Sequence, residues 1–195
     1  MNSRELILQK IKANKPENKE MPVIQVFKTP DFSKFPDLFK ESMEKNGGIV
    51  YKVKNTDEII NHLNEIHPSV HHTCSMVTDI AWGNRAILKN QNPKDLKDMD
   101  VVLLKAQIGV SENAAMWFTE KDLGQRVLPF ITQHLAVVLN SKDLVGNMHQ
   151  AYEKIHLQTA GYGVFIAGPS KTADIEQSLV IGAHGSRSMT VFLVG

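Results

Sequence analysis

The sequence predicts an α/β fold, a mostly parallel sheet flanked by helices, preceded by a short helical arm. Three observations lead there. Short apolar runs bounded by glycine or polar turns alternate with segments of helical spacing along the chain. Val101-Val102-Leu103-Leu104 is apolar at consecutive positions, as a strand buried on both faces of a parallel sheet must be. The stretch from Gly163 to Val194 reads strand, turn, helix, strand, which is a βαβ unit.

In chain order, residues 3–12 place Leu6, Ile7 and Ile11 on one face of a short amphipathic helix. The polar run 13–20 then reads as a flexible connector. Helix and connector, residues 1–20, form an arm that packs on another subunit or folds back on its own domain; residues 21–195 are that domain. Phe35 to Asn46 is a helix ended by Gly47-Gly48, glycine being the usual residue past a helix end. Ile49 to Val53 follows as a strand, and Thr56 to Ile66 as a helix capped by Asn55 or Thr56. Strands are predicted at Val70–Thr73, Asp100–Lys105, Ala114–Phe118 and Leu135–Leu139, and a helix at Val145–Ile155. Gly163 to Ala167 is a strand stopped by Gly168-Pro169-Ser170-Lys171-Thr172. Ala173 to Ile181 carries Ile175, Leu179 and Val180 at helical spacing, and Met189 to Val194 closes the chain as a strand.

Bulk properties narrow the function. A chain of 195 residues buries one large core, and 42% hydrophobic with 22% charged residues is ordinary for a globular domain. The net charge of +1 supplies no global field for nucleic acid or a membrane surface. No apolar stretch approaches the roughly 20 residues of a membrane helix, and the polar start Met1-Asn2-Ser3-Arg4-Glu5 is no signal peptide. Cys74 is the single cysteine, so this chain alone forms no internal disulfide and holds no cysteine-ligated iron–sulfur cluster. A cytoplasmic location is expected.

Three polar turns follow predicted strands: Ser75 to Asp79, Ser111 to Asn113, and Gly168 to Thr172. In a parallel sheet the first and third should meet at the carboxyl edge, where ligands sit. Ser75, Thr78, Ser170, Lys171 and Thr172 would offer hydroxyls and an ammonium to a carboxylate or phosphate. The competing reading makes Ser170 or Thr172 a helix N-cap, with Asp174 and Glu176 as first-turn acids. The turn has one glycine, so no nucleotide fingerprint is present. Glu112 is either an exposed turn residue or a carboxylate withdrawn from water, facing a pocket beneath the Ser170 turn. His67, His71 and His72 are packed or solvated residues rather than a metal site, since neighbours on a strand face opposite sides. Trp82, Trp117 and the scattered methionines read as core filling.

The run Gly168-Pro169-Ser170-Lys171-Thr172-Ala173-Asp174-Ile175-Glu176, followed by His184-Gly185, resembles the signature of the lactate-utilization (LUD) domain family, in particular its lactate utilization protein C type. Ser75-Met76-Val77-Thr78-Asp79-Ile80 and Ala106 to Glu112 are similar to two further family segments. Lys171 stands where the family usually has arginine, Ser186 where it has proline, and Asn113-Ala114-Ala115 where it has Thr-Gly-Thr. The resemblance implies a fold of the CoA-transferase and ribose-5-phosphate isomerase type. It also implies a cytoplasmic subunit of an L-lactate-oxidising system that binds a small anion or assembles with iron–sulfur partners, which would hold all the clusters. Ser111-Glu112-Asn113 is similar as well to the CoA-transferase motif whose glutamate attacks an acyl-CoA, which makes Glu112 the catalytic candidate of an alternative, enzymatic reading.

His184-Gly185 poses a problem of distance. A helix over 173–181 would span about 15 Å and deliver His184 to the end opposite Ser170. Either the loop bends back, or His184 has a separate duty with Gly185 as a plain turn residue.

Overall fold

In the computed structural model, residues 2–20, 22, 31–87, 91–155, 161–173, 179–182 and 184–195 are described. Asp174 and Glu176 lie outside them, as do the side chains of Thr172, Ala173 and 179–181.

The core is a five-stranded parallel sheet. Its strands are β1 (Ile49–Val53), β2 (Thr73–Ser75), β3 (Val101–Lys105), β6 (His134–Asn140) and β11 (Ser188–Val194), in the spatial order β1-β11-β6-β3-β2. A smaller sheet holds β4 (Ile108–Val110), β5 (Met116–Thr119), β7 (Leu144–Val145) and β8 (Gly163–Ile166), in the order β7-β4-β5-β8. A third element pairs β9 (Lys171–Ala173) with β10 (Leu179–Ile181). The helices are α1 (Ser3–Ala13), α2 (Phe35–Lys45), α3 (Thr56–Ile66), α4 (Glu120–Leu123), α5 (Leu128–Ile131) and α6 (Met148–Lys154).

The unbroken apolar runs are explained by burial on both faces. Val102 and Leu104 of β3 point to one side with Leu135, Val137, Val191 and the α2 residues Phe39 and Met43. Val101 and Leu103 point to the other, with Phe192 and the α3 residues Ile59 and Leu63. Each fully buried side chain of this kind stabilises the fold by about 1.5–3 kcal/mol. From β2 through β3 and β6 to β11 the chain advances one way across the sheet, and only the step from β1 to β2 runs back. Crossovers are right-handed, so α3 lies on one face while α2 and the small sheet cover the other.

Capping follows the sequence closely. Asn55 accepts from the amide of Glu58 at 3.0 Å and starts α3. Gly47, at φ +84°, lets the chain turn out of α2 into β1. Asn2 and Glu5 form a reciprocal capping box on α1. No residue of α1 is buried, and Ile7 is 58% exposed.

Two expectations at the C-terminal end are corrected. The stretch predicted as a crossover helix over Ala173–Ile181 carries strands at both described ends, paired antiparallel with Ile181 opposite Lys171. The strand before it, β8, pairs antiparallel with β5 in the small sheet, so Gly163–Val194 is not a βαβ unit of the parallel sheet. Both strand segments are short, β-branched residues fill two of the three positions of β10 and one of β9, and a spacing shared by only three apolar side chains fits a hairpin as well as a helix.

Candidate functional site

The antiparallel course of β8 decides where the Ser170 turn lies. After Ile166 the chain turns at Gly168, whose φ is +85°. A Cβ at Gly168 would stand 2.9 Å from both Cβ and the carbonyl oxygen of Asn46, so glycine is required by conformation and by contact. Pro169 and the Lys171 stem lie over Gly47, with Cε of Lys171 3.7 Å from where a Gly47 Cβ would be. The amide of Ser170 donates to the carbonyl of Ser186 at 2.9 Å, and Gly182 donates to the carbonyl of Ser170 at 3.1 Å. Gly185 comes so close that a Cβ there would lie 3.0 Å from Ser170 Cβ. The hairpin has folded the chain back on itself, and the two halves of the sequence signature touch.

This cluster stands beside the amino ends of β1 and β11. Lys171 and His184 are exposed and Ser170 is half-buried. Among the described residues no carboxylate pairs with the Lys171 ammonium, and the Ser170 hydroxyl has no hydrogen-bond partner.

The turn after β4 reaches the same neighbourhood through Asn46. Asn46 donates from Nδ2 to the carbonyl of Asn113 at 2.9 Å, and Ser42 donates to the carbonyl of Ser111 at 2.8 Å. Ser111, 1% exposed, donates its hydroxyl to the carbonyl of Phe35 at 3.1 Å. Ala114 holds φ +58°, a left-handed conformation that favours glycine, and its buried methyl joins the core. Glu112 is not withdrawn. It is exposed, and Oε1 accepts the amide of Met148 at 2.8 Å, the first residue of α6. A carboxylate on the leading amide of a helix is a cap, favoured by the helix dipole.

Ser75 and Thr78 lie elsewhere. β2 is the edge strand at the far side from β1, three strand spacings or about 14 Å from β11. The Ser75 hydroxyl closes a local turn with Val77, accepting its amide and donating to its carbonyl, both at 3.2 Å. The depression there, about 480 Å³, is walled by Ser75, Met76, Thr78, Ile80, Trp82 and Gly83. None of the Ser170 cluster borders it. The expected meeting of the first and third turns is therefore replaced by a meeting of the second and third. Cys74 is buried beside this turn, and burial pushes its thiol up to about 12, leaving it unreactive.

The histidines are tied into structure. His71 and His72 give their backbone amides to Asp100 Oδ2 at 2.8 and 2.9 Å. His67 packs on His134 with ring centroids 4.8 Å apart, and Nδ1 of His134 is 2.8 Å from the Ser188 hydroxyl. Burial lowers both imidazole pKa values; the neighbouring His134 adds to the effect at His67, whereas at His134 the Asp100 carboxylate pulls the other way and Arg187 adds a smaller lowering. Asn46 is the residue of the Ser170 cluster that the sequence did not single out, and Ser186 is marked there only by its departure from the family's proline. Asn46-Gly47 reads as an ordinary helix end, and only the antiparallel β8 brings it to the signature turn.

The LUD domain family profile matches residues 68–194. Lactate utilization protein C of Oceanobacillus iheyensis is 30% identical over 112 residues, covering 50% of this chain and 48% of that protein. Lactate utilization protein C of Bacillus subtilis is 33% identical over 121 residues, covering 58% of this chain and 50% of that protein. The chain spans about half the length of these curated relatives. A crystal structure of a DUF162 family protein from Deinococcus radiodurans superposes with a TM-score of 0.65 at 16% identity, covering 85% of this chain and 99% of that one, which establishes a shared fold. With the family profile running from just before β2 to the last residue of β11, the chain belongs to the LUD domain family.

Proposed function

We propose that this protein is a cytoplasmic subunit of an L-lactate utilization system. In this reading it holds a small carboxylate at the Ser170–Lys171–Gly185 cluster, while iron–sulfur clusters that take up the electrons of lactate oxidation reside in partner subunits. The relatives named lactate utilization protein C support the system. A lone, buried, unreactive Cys74 supports placing the redox centres elsewhere. The observation that carries the site is the hairpin contact: an ammonium and a hydroxyl without protein partners among the described residues are brought to a glycine-lined backbone. Such a group can receive a carboxylate through charge-assisted hydrogen bonds.

The test is titration calorimetry with L-lactate and pyruvate on the parent and on Lys171→Met, alongside growth of a deletion strain on lactate. Loss of the ammonium should weaken binding by about tenfold or more without lowering Tm. The deletion should abolish growth on lactate and leave growth on glucose intact. Equal affinity in the variant would remove the site from Lys171, and normal growth of the deletion strain on lactate would refute the functional reading.

A further inference from the structure

A strand at the edge of a sheet is where another chain can join it, and several edges of this protein are guarded. At the β2 edge of the parallel sheet, Asn84 and Arg85 give their backbone amides to the Thr73 carbonyl, both at 2.9 Å, and the Asn84 side chain accepts the Thr73 amide at 3.0 Å. The β1 edge carries Lys52, with Lys54 following the strand. In the small sheet, β7 is only two residues long. The opposite edge of that sheet, β8, has none of these devices. Gly163-Val164-Phe165-Ile166 contains neither charge nor proline, and among the described residues only β5 pairs with it.

The free edge of β8 has a definite pattern. The Tyr162 carbonyl accepts the Glu120 amide at 3.0 Å, so Tyr162 turns its backbone groups toward β5. These groups alternate sides along a strand, which turns Val164 and Ile166 toward β5 as well, and Gly163, Phe165 and Ala167 away from it. In agreement, the Trp117 carbonyl, opposite Phe165 in the register, bonds on its other side to the Gln107 amide at 3.0 Å. Side chains alternate too. Val164 and Ile166 pack against the main core, whereas Phe165 lies on the outer face with Trp117 and Tyr152, at ring-centroid distances of 4.8 and 5.7 Å. Tyr152 is 54% exposed, so aromatic surface stands close to the free edge.

We propose that two copies of this protein associate through β8, antiparallel about a two-fold axis at Phe165, so that the small sheet runs on from one copy into the other. The outward groups are arranged for this occupant. With Phe165 opposite Phe165, Gly163 of each copy stands opposite Ala167 of the other, and every outward amide meets an outward carbonyl. On the core side Val164 stands opposite the second copy's Ile166, apolar against apolar. On the outer side the two Phe165 rings meet beside Trp117 and Tyr152. A register shifted by one residue would set core-facing side chains opposite outer-facing ones, which the pleat forbids. Neither strand carries a charge to repel its copy, and a polar strand in its place would lose these side-chain pairs. The interface uses no side chain of the Ser170 cluster and is independent of the proposed function.

The test is sedimentation of the full chain over a range of concentrations, with amide exchange measured on the same samples. A monomer–dimer equilibrium is expected, with exchange at the Phe165 amide slowing about tenfold or more from the dilute to the concentrated sample. Ala167→Pro removes an outward donor at an exposed position that follows an extended residue. It should keep the monomer's spectrum and weaken dimerisation about tenfold or more. Phe165→Cys should cross-link two copies on mild oxidation, since the paired Cα atoms stand about 5.5 Å apart. Ala167→Cys should stay reduced, its two positions lying about 13 Å apart along the strands; Cys74 is buried and does not compete. A chain that remains monomeric at about 1 mM would overturn the proposal. So would a Phe165 amide already protected in the monomer, a dimer indifferent to Ala167→Pro, or equal cross-linking at the two positions.

Discussion

His67 and His134 illustrate how single residues couple this fold to pH. Each imidazole is partly withdrawn from water and is held below the ordinary histidine pKa of 6.5, first by burial. A base whose pKa is lower in the folded chain binds its proton more readily when unfolded, so acid favours unfolding. The stability associated with the pair is fully present above pH 6.5 and is lost as the pH falls through that value toward the folded pKa values. Asp100 is different in window: burial raises its carboxyl, the His72 and His71 amides outweigh that, and its contribution is lost only in stronger acid, below its ordinary 3.8. Urea midpoints should therefore be lower at pH 5.5 than at pH 7.5, and replacing both His67 and His134 by asparagine should remove most of that difference. A double variant with undiminished acid sensitivity would assign the effect to other groups. Glu112 and Ala114 carry a second lesson at this scale. The sequence marks one as a candidate carboxylate and the other as standing where the family has glycine, yet only the fold shows the carboxylate capping α6 and the alanine at φ +58° with its methyl buried.

At the scale of elements, the Gly168 turn decides whether the signature halves meet. A side chain there would suffer both positive φ and a contact with the Asn46 backbone, which cannot swing aside as a side-chain end can. Gly168→Ala should cost about 2–5 kcal/mol, the sum of a left-handed alanine and an overpacked contact. It should also loosen the β9–β10 hairpin before the parallel sheet, seen as selective loss of amide-exchange protection at Ser170 and Gly182. A variant as stable as the parent would show that the close approach to Asn46 is absent. Four strands of the parallel sheet and the helices α2 and α3 were legible because each has its own periodicity, caps and stop signals: Ile49–Val53 and Thr56–Ile66 have the bounds that the residues predict, whereas the strand predicted at Val70–Thr73 shares only Thr73 with β2. The last crossover was not. Nothing local in Gly163-Val164-Phe165-Ile166 says whether it joins a parallel or an antiparallel neighbour, and that choice reversed the direction in which Ser170 is delivered. The separation of Ser75 from Ser170 follows from the same event. Edge and centre positions in a sheet are set by long-range pairing, and the spacing of apolar residues does not encode them.

For the molecule as a whole, one arrangement organises the rest: the turn Gly168–Lys171 and the pair His184-Gly185 are distant in sequence and meet in one cluster at the amino ends of β1 and β11. Their union depends on the small sheet for direction, on the hairpin for reversal and on Asn46 for the seat. The proposed carboxylate binding rests on this geometry. It is tested most directly by a cross-link. Ser170→Cys with Gly185→Cys places two thiols on neighbouring backbone, with Cβ positions about 3.0 Å apart before relaxation, near the 3.5–4.5 Å of a disulfide. Cys74 is buried and unreactive, so it does not compete for either introduced thiol. Mild oxidation should close the bond within one chain nearly completely, measured as loss of both free thiols in mass spectra of the monomer. A straight helix between the two positions would hold them about 15 Å apart. Thiols that stay free, or that pair only between chains, would contradict the joined site.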